Sequence, residues 1–211
     1  MPAPIPELDP SYMRPASDEV IEHVAAGLRA NNIEAIVVQT GDDARLAALA
    51  LIPDGAEVHS GKSKTLEDIG LLAELNESGR YDAIKPRLLK MDRKTQGAEM
   101  RKLGASPDFM LGSVQAVTED GVLVVVSAGG GQIGPYASGA GKLILIVGSQ
   151  KIVANFDEAM HRIREHAFPQ EDARLKAAFG LNTAIGKVML IHKEFMPGRT
   201  TVILVKEPVG I

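Results

Sequence analysis

Apolar residues recur along the first third of the chain in two alternating patterns. From Ser17 to Leu28 they lie three or four positions apart, which predicts an amphipathic helix that stops at Asn31-Asn32. The continuous apolar run within 34–39 is typical of a buried strand. The same order of helix and short strand then repeats as far as Ser60. Helices that alternate with short buried strands predict an α/β fold with a largely parallel sheet.

The second half of the chain begins with a β-hairpin pattern. Two β-rich runs, over 109–118 and 122–127, are separated by Glu119-Asp120-Gly121, and Asp-Gly between such runs predicts a tight turn. Residues 128–141 are rich in glycine, which predicts a loop, with room for one helical turn, that a ligand can approach closely. The remaining predicted elements are a central strand over 142–147, helices over 156–167 and 169–179, and strands over 187–192 and 200–206.

Segment 56–65 combines the groups that bind an anion. A strand pattern ends at Ser60, and Gly61-Lys62-Ser63-Lys64 leads into a helix that Thr65 and Asp68 are predicted to cap. Unpaired backbone N–H groups, hydroxyls and two ammonium groups would then meet at the start of a helix, where a phosphate or carboxylate is stabilised. The alternative interpretation, an ordinary capped helix in a strand–helix unit, stays open.

The tripeptide Gly61-Lys62-Ser63 also resembles the end of a nucleoside-triphosphate P-loop. That motif requires a glycine five positions earlier, but position 56 is alanine. We find no strand pattern that ends in an acidic Mg²⁺ ligand of the kind such enzymes use. The segment therefore favours an anion-binding loop of another type.

Composition narrows the possible partners. The chain has 211 residues, 45% of them hydrophobic and 24% charged, which is typical of one globular domain with a substantial core. A net charge of -4 and an aromatic content of 4% give no support for a nucleic-acid partner. The absence of cysteine excludes disulfides and an iron–sulfur cluster of the chain's own. The histidines are scattered, so we predict no metal site, and no cofactor is expected.

The first residues predict an extended arm rather than a packed element. Five prolines lie in the first fifteen positions, so we assign 1–16 to this arm and 17–211 to a single domain. No basic region precedes an apolar core, as a secretory signal would require. The longest apolar runs are of strand length and too short to span a bilayer. We therefore expect a cytoplasmic protein with no membrane insertion, and the sequence leaves homo-oligomer formation open.

Four segments, in order along the chain, resemble the lactate-utilisation family, whose members carry a LUD domain. The segments are Ser60-Gly-Lys-Ser-Lys-Thr-Leu-Glu-Asp-Ile-Gly70 and the stretches 117–122, 142–153 and 201–210. The resemblance implies the fold of NagB and RpiA sugar-phosphate isomerases, coenzyme A transferases and folate cyclo-ligases. That fold is a three-layer α/β/α sandwich with a mostly parallel sheet.

The resemblance also implies where a ligand would bind. In the related proteins, a Ser/Gly/Thr loop before a helix binds the phosphate or carboxylate. The residues to which this role falls here are Ser60, Gly61, Lys62, Ser63 and Thr65. The acidic turn of the family falls on Glu119, Asp120 and Gly121. Gln132, in the glycine-rich loop, stands where relatives often carry an arginine, and it completes the predicted ligand-binding set.

One departure from the family concerns redox chemistry. Some relatives carry a cysteine-containing segment before the final strand, whereas 177–186 here contains no cysteine. Family members occur with iron–sulfur proteins needed for growth on lactate. If this chain takes part in such chemistry, the cluster must belong to an iron–sulfur redox partner.

Two classes of function remain open. The first is an accessory or metabolite-binding component in lactate (hydroxy acid) utilisation, and the second is a stand-alone isomerase, transferase or ligase. Both require a small anionic metabolite, carboxylated or phosphorylated. In an enzyme, Glu119 is the predicted acid or base because it ends a strand beside a tight turn, although it is equally explained as a turn residue. For His59, beside the loop, we prefer the interpretation of a half-buried polar residue.

Overall fold

The computed structural model describes residues 9–211, which fold into two sheets and their covering helices. The strands are β1 Glu34–Val38, β2 Glu57–Ser60, β3 Asp82–Ala83, β4 Phe109–Gly112, β5 Ala116–Thr118, β6 Leu123–Ser127, β7 Lys142–Gly148, β8 Ile152–Val153, β9 Lys187–Ile191 and β10 Thr200–Val205. The helices are α1 Asp18–Ala30, α2 Gly41–Ala50, α3 Lys64–Asp68, α4 Leu71–Glu77, α5 Ile84–Leu89, α6 Gly97–Ala105, α7 Phe156–Arg162 and α8 Phe168–Phe179.

The central sheet has six strands in the order β1-β10-β7-β4-β2-β3, and every pairing is parallel. Strand β7 lies inside this sheet and is buried from Leu143 to Gly148, as its continuous apolar run predicts. In the same sheet β2, β4 and β7 are successive neighbours. Their carboxyl ends therefore lie side by side.

Apolar side chains cover both faces of the central sheet. On one face, Val24 and Leu28 of α1 share a core with Leu145 of β7 and with Leu123 and Val125 of the second sheet. On the opposite face, residues of α2, α3 and α4 pack against Ile144, Ile146 and Ile203. The predicted three-layer α/β/α architecture with a mostly parallel sheet is confirmed.

The second sheet has four strands in the order β8-β5-β6-β9. The pair β5 and β6 forms the antiparallel hairpin that Asp120-Gly121 predicts. The run 109–118, which the sequence predicts as one strand, is two: the chain leaves the central sheet after Gly112 and enters the second sheet at Ala116. A third core packs Ala159 of α7, and Ile163 of the π-helical turn Ile163–Ala167 that follows it, on the outer face of this sheet.

Helix starts follow the local signals in the sequence. Ser17 caps α1 and Asn155 caps α7 through their side chains, while Thr40 and Asp43 form a reciprocal capping box at α2. The glycine-rich loop contains a single π-helical turn, Pro135–Gly139. None of the helices within 9–211 has the length and apolar content that crossing a membrane requires.

The described part of the N-terminal arm contacts the domain. Residues 1–8 lie outside the part of the chain that the structure describes. Pro10–Met13 forms a 3-10 turn that begins with a hydrogen bond from the Ser11 amide to Asp9, 2.8 Å long. The Tyr12 ring lies 5.2 Å from the His166 ring, measured between centroids. Pro10–Met13 therefore forms a short turn with no buried residue, and the assignment of 1–16 to an extended arm stays a prediction.

Candidate functional site

A cavity of ≈ 320 Å³ opens at the carboxyl ends of β2, β4 and β7. Because these strands are parallel neighbours, the segments that follow them converge at one edge of the sheet, where open α/β folds bind ligands. The segment after β2 contributes Gly61 to Thr65, the segment after β4 contributes Ser113, and the turn after β7 contributes Lys151. The cavity has the size of a small-molecule site.

The remaining walls combine apolar and polar groups. Val126, Ile163 and Leu175 line the apolar side of the cavity. Gln132, from the glycine-rich loop, and Arg174, from α8, contribute polar side chains. Burial against these walls would favour a compact ligand with an apolar part and an anionic end.

Lys151 is the most unusual residue of the cavity. Its side chain is only 2% exposed, and Nζ donates hydrogen bonds to Thr65 Oγ1 at 2.7 Å and to Ser113 Oγ at 3.0 Å. No carboxylate forms an ion pair with it in the part of the chain that the structure describes. Burial lowers the pKa of Lys151 to about 7, and repulsion from Arg162 acts in the same direction.

The two hydroxyls around Lys151 can act as acceptors because their own protons bond elsewhere. The Thr65 hydroxyl donates to Ser113 Oγ at 3.3 Å, and the Ser113 hydroxyl donates to the Val114 carbonyl at 3.4 Å. Each oxygen can then accept one N–H from Lys151. The network therefore satisfies two hydrogens of the lysine nitrogen.

The helix after the loop is capped differently from the sequence prediction. The side chain of Ser63 accepts a hydrogen bond from the Leu66 amide at 3.3 Å, so Ser63 is the N-cap of α3. Thr65 lies inside the helix with its hydroxyl bonded to Lys151, and Asp68 pairs with Lys64. The predicted cap by Thr65 and Asp68 is wrong, because the Thr65 hydroxyl is hydrogen-bonded to Lys151 in the cavity.

The loop lysines contribute less positive charge than their number indicates. Lys62 Nζ lies 2.5 Å from Glu67, and Lys64 is paired with Asp68. Helix α3 has only five residues, so its dipole is small as well. Arg174 is likewise held by Glu171, with contacts of 2.7 and 2.5 Å.

Most of the residues predicted to bind a ligand do line the cavity. These are Gly61, Lys62, Ser63, Thr65 and Gln132. Ser60 ends β2 and is 4% exposed, and it lies behind the loop rather than in the lining. His59, on the same strand, is half-buried, as we expected, and it also lies outside the lining.

The acidic turn lies elsewhere. Gly121 has a φ of +83°, and a Cβ there would lie 2.8 Å from the Gly27 carbonyl carbon, so the turn packs tightly on α1. Asn31 Nδ2 donates to the Asp120 carbonyl at 3.3 Å. Neither Glu119, Asp120 nor Gly121 lines the cavity. The structure does not bring this turn and the loop together, because the turn belongs to the second sheet. A catalytic role of Glu119 stays a prediction.

Sequence reasoning missed Lys151, Ser113 and Tyr136 as cavity residues. The Tyr136 hydroxyl donates to the Ser113 carbonyl at 3.3 Å, and burial raises the pKa of Tyr136. A Cβ at Gly112 would lie 1.6 Å from the Tyr136 hydroxyl oxygen, so this contact requires glycine. A signal for Lys151 was available: it follows the central strand directly, at the end where parallel sheets bind ligands.

Metal binding has no visible basis in this geometry. Across residues 9–211, no group of three or more His, Asp or Glu side chains is placed to hold an ion. The polar side chains of the cavity are mainly hydroxyls, the amides of Gln115 and Gln132, and cations, while its carboxylate, Glu171, is paired with Arg174. This set suits an anionic organic ligand.

Comparisons with known proteins bear on the family and the fold. A DUF162-family protein from Deinococcus radiodurans is 12% identical, with a TM-score of 0.49 over 90% of this chain and 99% of that chain. Ribose 5-phosphate isomerase from Plasmodium falciparum is 16% identical, with a TM-score of 0.33 over 55% and 52% of the two chains. Ribose 5-phosphate isomerase A from Neisseria gonorrhoeae is 14% identical, with a TM-score of 0.34 over 72% and 76%.

The family assignment comes from the sequence. No curated protein matches the chain. The family model described as the LUD domain matches residues 21–205. This range includes the loop, Ser113 and Lys151, and it covers most of the chain. The resemblance seen in four segments is confirmed: the protein belongs to the LUD-domain family.

Proposed function

We propose that the protein binds a small carboxylate- or phosphate-bearing metabolite in the cavity, between the loop Gly61 to Thr65 and Lys151. The observation that carries this proposal is the buried Lys151 amine, which lines the cavity with two hydroxyl partners and, within residues 9–211, no paired carboxylate. Perturbed titratable groups in a cavity are typical of functional sites. The Glu171 carboxylate that also lines the cavity is paired with Arg174, so a ligand anion would supply the counter-charge for Lys151.

The electrostatics of the cavity favour a ligand with a negative charge. A buried ammonium without a counter-ion is costly, which is why the pKa of Lys151 falls to about 7. An anion within hydrogen-bond distance would favour the charged form and accept its third N–H. Binding and protonation of Lys151 should therefore be linked, so that the ligand takes up a proton as it binds at neutral pH.

The biological setting that we propose is the utilisation of lactate or a related hydroxy acid. Membership of the LUD-domain family supports it. Because the sequence contains no cysteine, we further propose that any redox step depends on an iron–sulfur partner. The chain would then act as the accessory or metabolite-binding component.

A stand-alone enzyme is the second candidate. One observation favours it: a lysine whose pKa is about 7 is half protonated at neutral pH and can exchange protons with a ligand. The substrate would be a carboxylated or phosphorylated metabolite, and the reaction an isomerase, transferase or ligase type.

A thermal-shift screen tests the binding proposal. The purified protein is heated with lactate, pyruvate, ribose 5-phosphate, inorganic phosphate and coenzyme A thioesters. A ligand at a hundred times its dissociation constant should stabilise the fold by about 2.7 kcal/mol. We expect at least one anion to do so, and Lys151→Met to abolish the effect. Lys102→Met, on the exposed face of α6, is the control that should keep it.

Two results would contradict the proposal. One is a well-folded wild-type protein that no carboxylate or phosphate stabilises. The other is a stabilising anion whose effect is the same in wild type, Lys151→Met and Lys102→Met, because that anion would bind outside the cavity.

A further inference from the structure

The nitrogen of Lys151 is surrounded as a neutral amine requires. A neutral amine has two N–H groups and one lone pair, and the structure provides two acceptors, Thr65 Oγ1 and Ser113 Oγ. With those two hydrogens bonded, the remaining tetrahedral position carries the lone pair of an amine or the third hydrogen of an ammonium. Because Lys151 lines the cavity, we assign that position to a bound ligand.

The other cationic side chains of the cavity differ from Lys151 because they are paired with carboxylates. Lys62, Lys64 and Arg174 each contact a carboxylate of a neighbouring residue, and such contacts hold a side chain in its charged, non-nucleophilic form. Lys151 has only hydroxyl partners within the described chain. A desolvated lysine in a largely apolar pocket is the form of this side chain that attacks carbonyl carbons.

We infer that the Lys151 amine is a nucleophile that forms a reversible imine with the carbonyl carbon of a small 2-oxo acid bound in the cavity. This inference rests on the proposed function, because it requires an anionic ligand to bind beside Lys151. It narrows the ligand from any carboxylate or phosphate to a carboxylate with an adjacent carbonyl group.

The bond changes need no oxidant or reductant. The lone pair of Nζ forms a bond to the carbonyl carbon, and the carbonyl oxygen receives the electron pair of the broken π bond together with a proton from the attacking nitrogen. The hydroxyls of Thr65 and Ser113 accept hydrogen bonds from Nζ and can relay that proton. The carbinolamine then loses its oxygen as water, and a carbon–nitrogen double bond forms.

A 2-oxo acid suits this site because it carries its own counter-ion. The imine nitrogen, once protonated, is a buried cation, and no carboxylate within residues 9–211 is bonded to Lys151. The ligand carboxylate, one bond from the imine carbon, supplies that charge within the same molecule. It can also accept hydrogen bonds from the Gln132 amide or the Ser63 hydroxyl, which line the cavity.

Reductive trapping tests the inference. The protein is incubated with pyruvate and sodium cyanoborohydride, and its intact mass and peptide map are measured. We expect one adduct per chain, with the mass of pyruvic acid less one oxygen, located on Lys151. Lactate has the carboxylate but no carbonyl carbon, so it should slow the trapping as a competitor without leaving an adduct.

Variants and pH separate this reaction from unspecific labelling. Lys151→Arg keeps a cation but should lose the adduct, whereas Lys102→Arg should keep it. The trapping rate should rise as pH increases through about 7, where Lys151 loses its proton. The charged groups that act on the pKa of Lys151 are Arg162, which lowers it, and Asp68, which raises it. The nearby His166 has a pKa lowered to about 4 and is uncharged in this pH range. Asp68→Asn should move the rise to lower pH, because Asp68 favours the protonated form of Lys151.

The outcomes distinguish this inference from the proposed function. If lactate and pyruvate both stabilise the protein but no adduct forms on Lys151 in the wild type, the inference is overturned and the binding proposal stands. Labelling spread over surface lysines at the same rate in Lys151→Arg would also overturn it. If neither acid stabilises the protein nor leaves an adduct, the inference fails together with the choice of ligand.

Discussion

At the scale of single residues, the buried amine of Lys151 sets the charge of the cavity. Its partners Thr65 and Ser113 stand 86 and 38 positions away in sequence, so no local pattern could predict the contact. Four of the five predicted loop residues line the cavity, namely Gly61, Lys62, Ser63 and Thr65. The charge of Lys62 and Lys64 is compensated by carboxylates one turn further along α3. That compensation depends on side-chain conformation, which residue types alone do not specify.

Burial of Lys151 makes stability depend on pH. The pKa of Lys151 is about 7 in the folded protein, below the value of 10.5 for an exposed lysine. Between these two values the unfolded chain binds more protons, so the contribution of Lys151 to stability rises with pH from about 7 to about 10. Lys151→Met should remove that rise and stabilise the fold at about pH 6, by on the order of 1 to 3 kcal/mol.

Urea unfolding of wild type and Lys151→Met at about pH 6 and pH 9 measures this effect. The difference in unfolding free energy between the two proteins should be larger at the lower pH. An equal difference at both values would mean that Lys151 titrates normally.

Gly210 fixes the position of Thr65. It has a φ of +74°, and a Cβ there would lie 2.1 Å from Thr65 Oγ1. Gly210→Ala should cost about 1 to 3 kcal/mol and weaken ligand binding, since Thr65 must move away from Lys151. Gly198 is a matched control, because its φ is +83° but no atom lies within 4 Å of its Cβ position. Gly198→Ala should cost about 1 kcal/mol and leave binding unchanged.

Chemical denaturation and ligand titration of the two glycine variants separate two effects. Both variants have the backbone strain of a positive φ, but only Gly210→Ala adds a steric clash with Thr65. Equal losses of stability and unchanged binding in both would show that the contact between Gly210 and Thr65 does not matter.

At the scale of elements, the cavity depends on which strands become neighbours. The hydrophobic patterns predict most strands and helices, including the capping box of Thr40 and Asp43 and the buried strand β7. They do not predict that 109–118 divides between two sheets, since β5 pairs with β8 and β6 with β9, both distant in sequence. The acidic turn was therefore predicted in the ligand site, while the structure places it against α1.

The revised cap of α3 gives a prediction at this scale. Ser63→Ala removes the hydrogen bond to the Leu66 amide and should destabilise the protein by about 1 kcal/mol. Thr65→Ser keeps the hydroxyl that contacts Lys151 and should be close to neutral for the helix start. Thermal unfolding of both variants tests the cap. A loss for Ser63→Ala that is no larger than the loss for Thr65→Ser would mean that Ser63 does not cap the helix.

The loop lysine Lys62 and the buried Lys151 should contribute unequally to the affinity for an anion. Lys62 is about half exposed and held by Glu67, and exposed pairs of this kind contribute little. We expect Lys62→Ala to weaken binding of a stabilising anion by less than tenfold, and Lys151→Met to weaken it by more than tenfold. Calorimetric titration of both variants with the same anion measures the ratio, and a larger effect of Lys62→Ala would contradict the account.

At the scale of the whole molecule, the fold and the family follow from the sequence more securely than the function does. Alternating helices and buried strands predict the layered α/β architecture, and the family model covers residues 21–205. The proposed function depends on a cavity that is assembled from three strand ends and lined by α8, and only the folded chain displays this cavity. The absence of cysteine limits what the chain can do alone, and it makes a redox partner part of the proposed role.

The central claim is that an anionic metabolite binds between the loop and Lys151. A crystal structure of the protein with the most stabilising anion of the thermal-shift screen tests this claim most directly. The account predicts that the carboxylate or phosphate lies within hydrogen-bond distance of Lys151 Nζ and of the loop Gly61 to Thr65. An anion bound instead at the turn of Glu119, with the cavity empty, would contradict it.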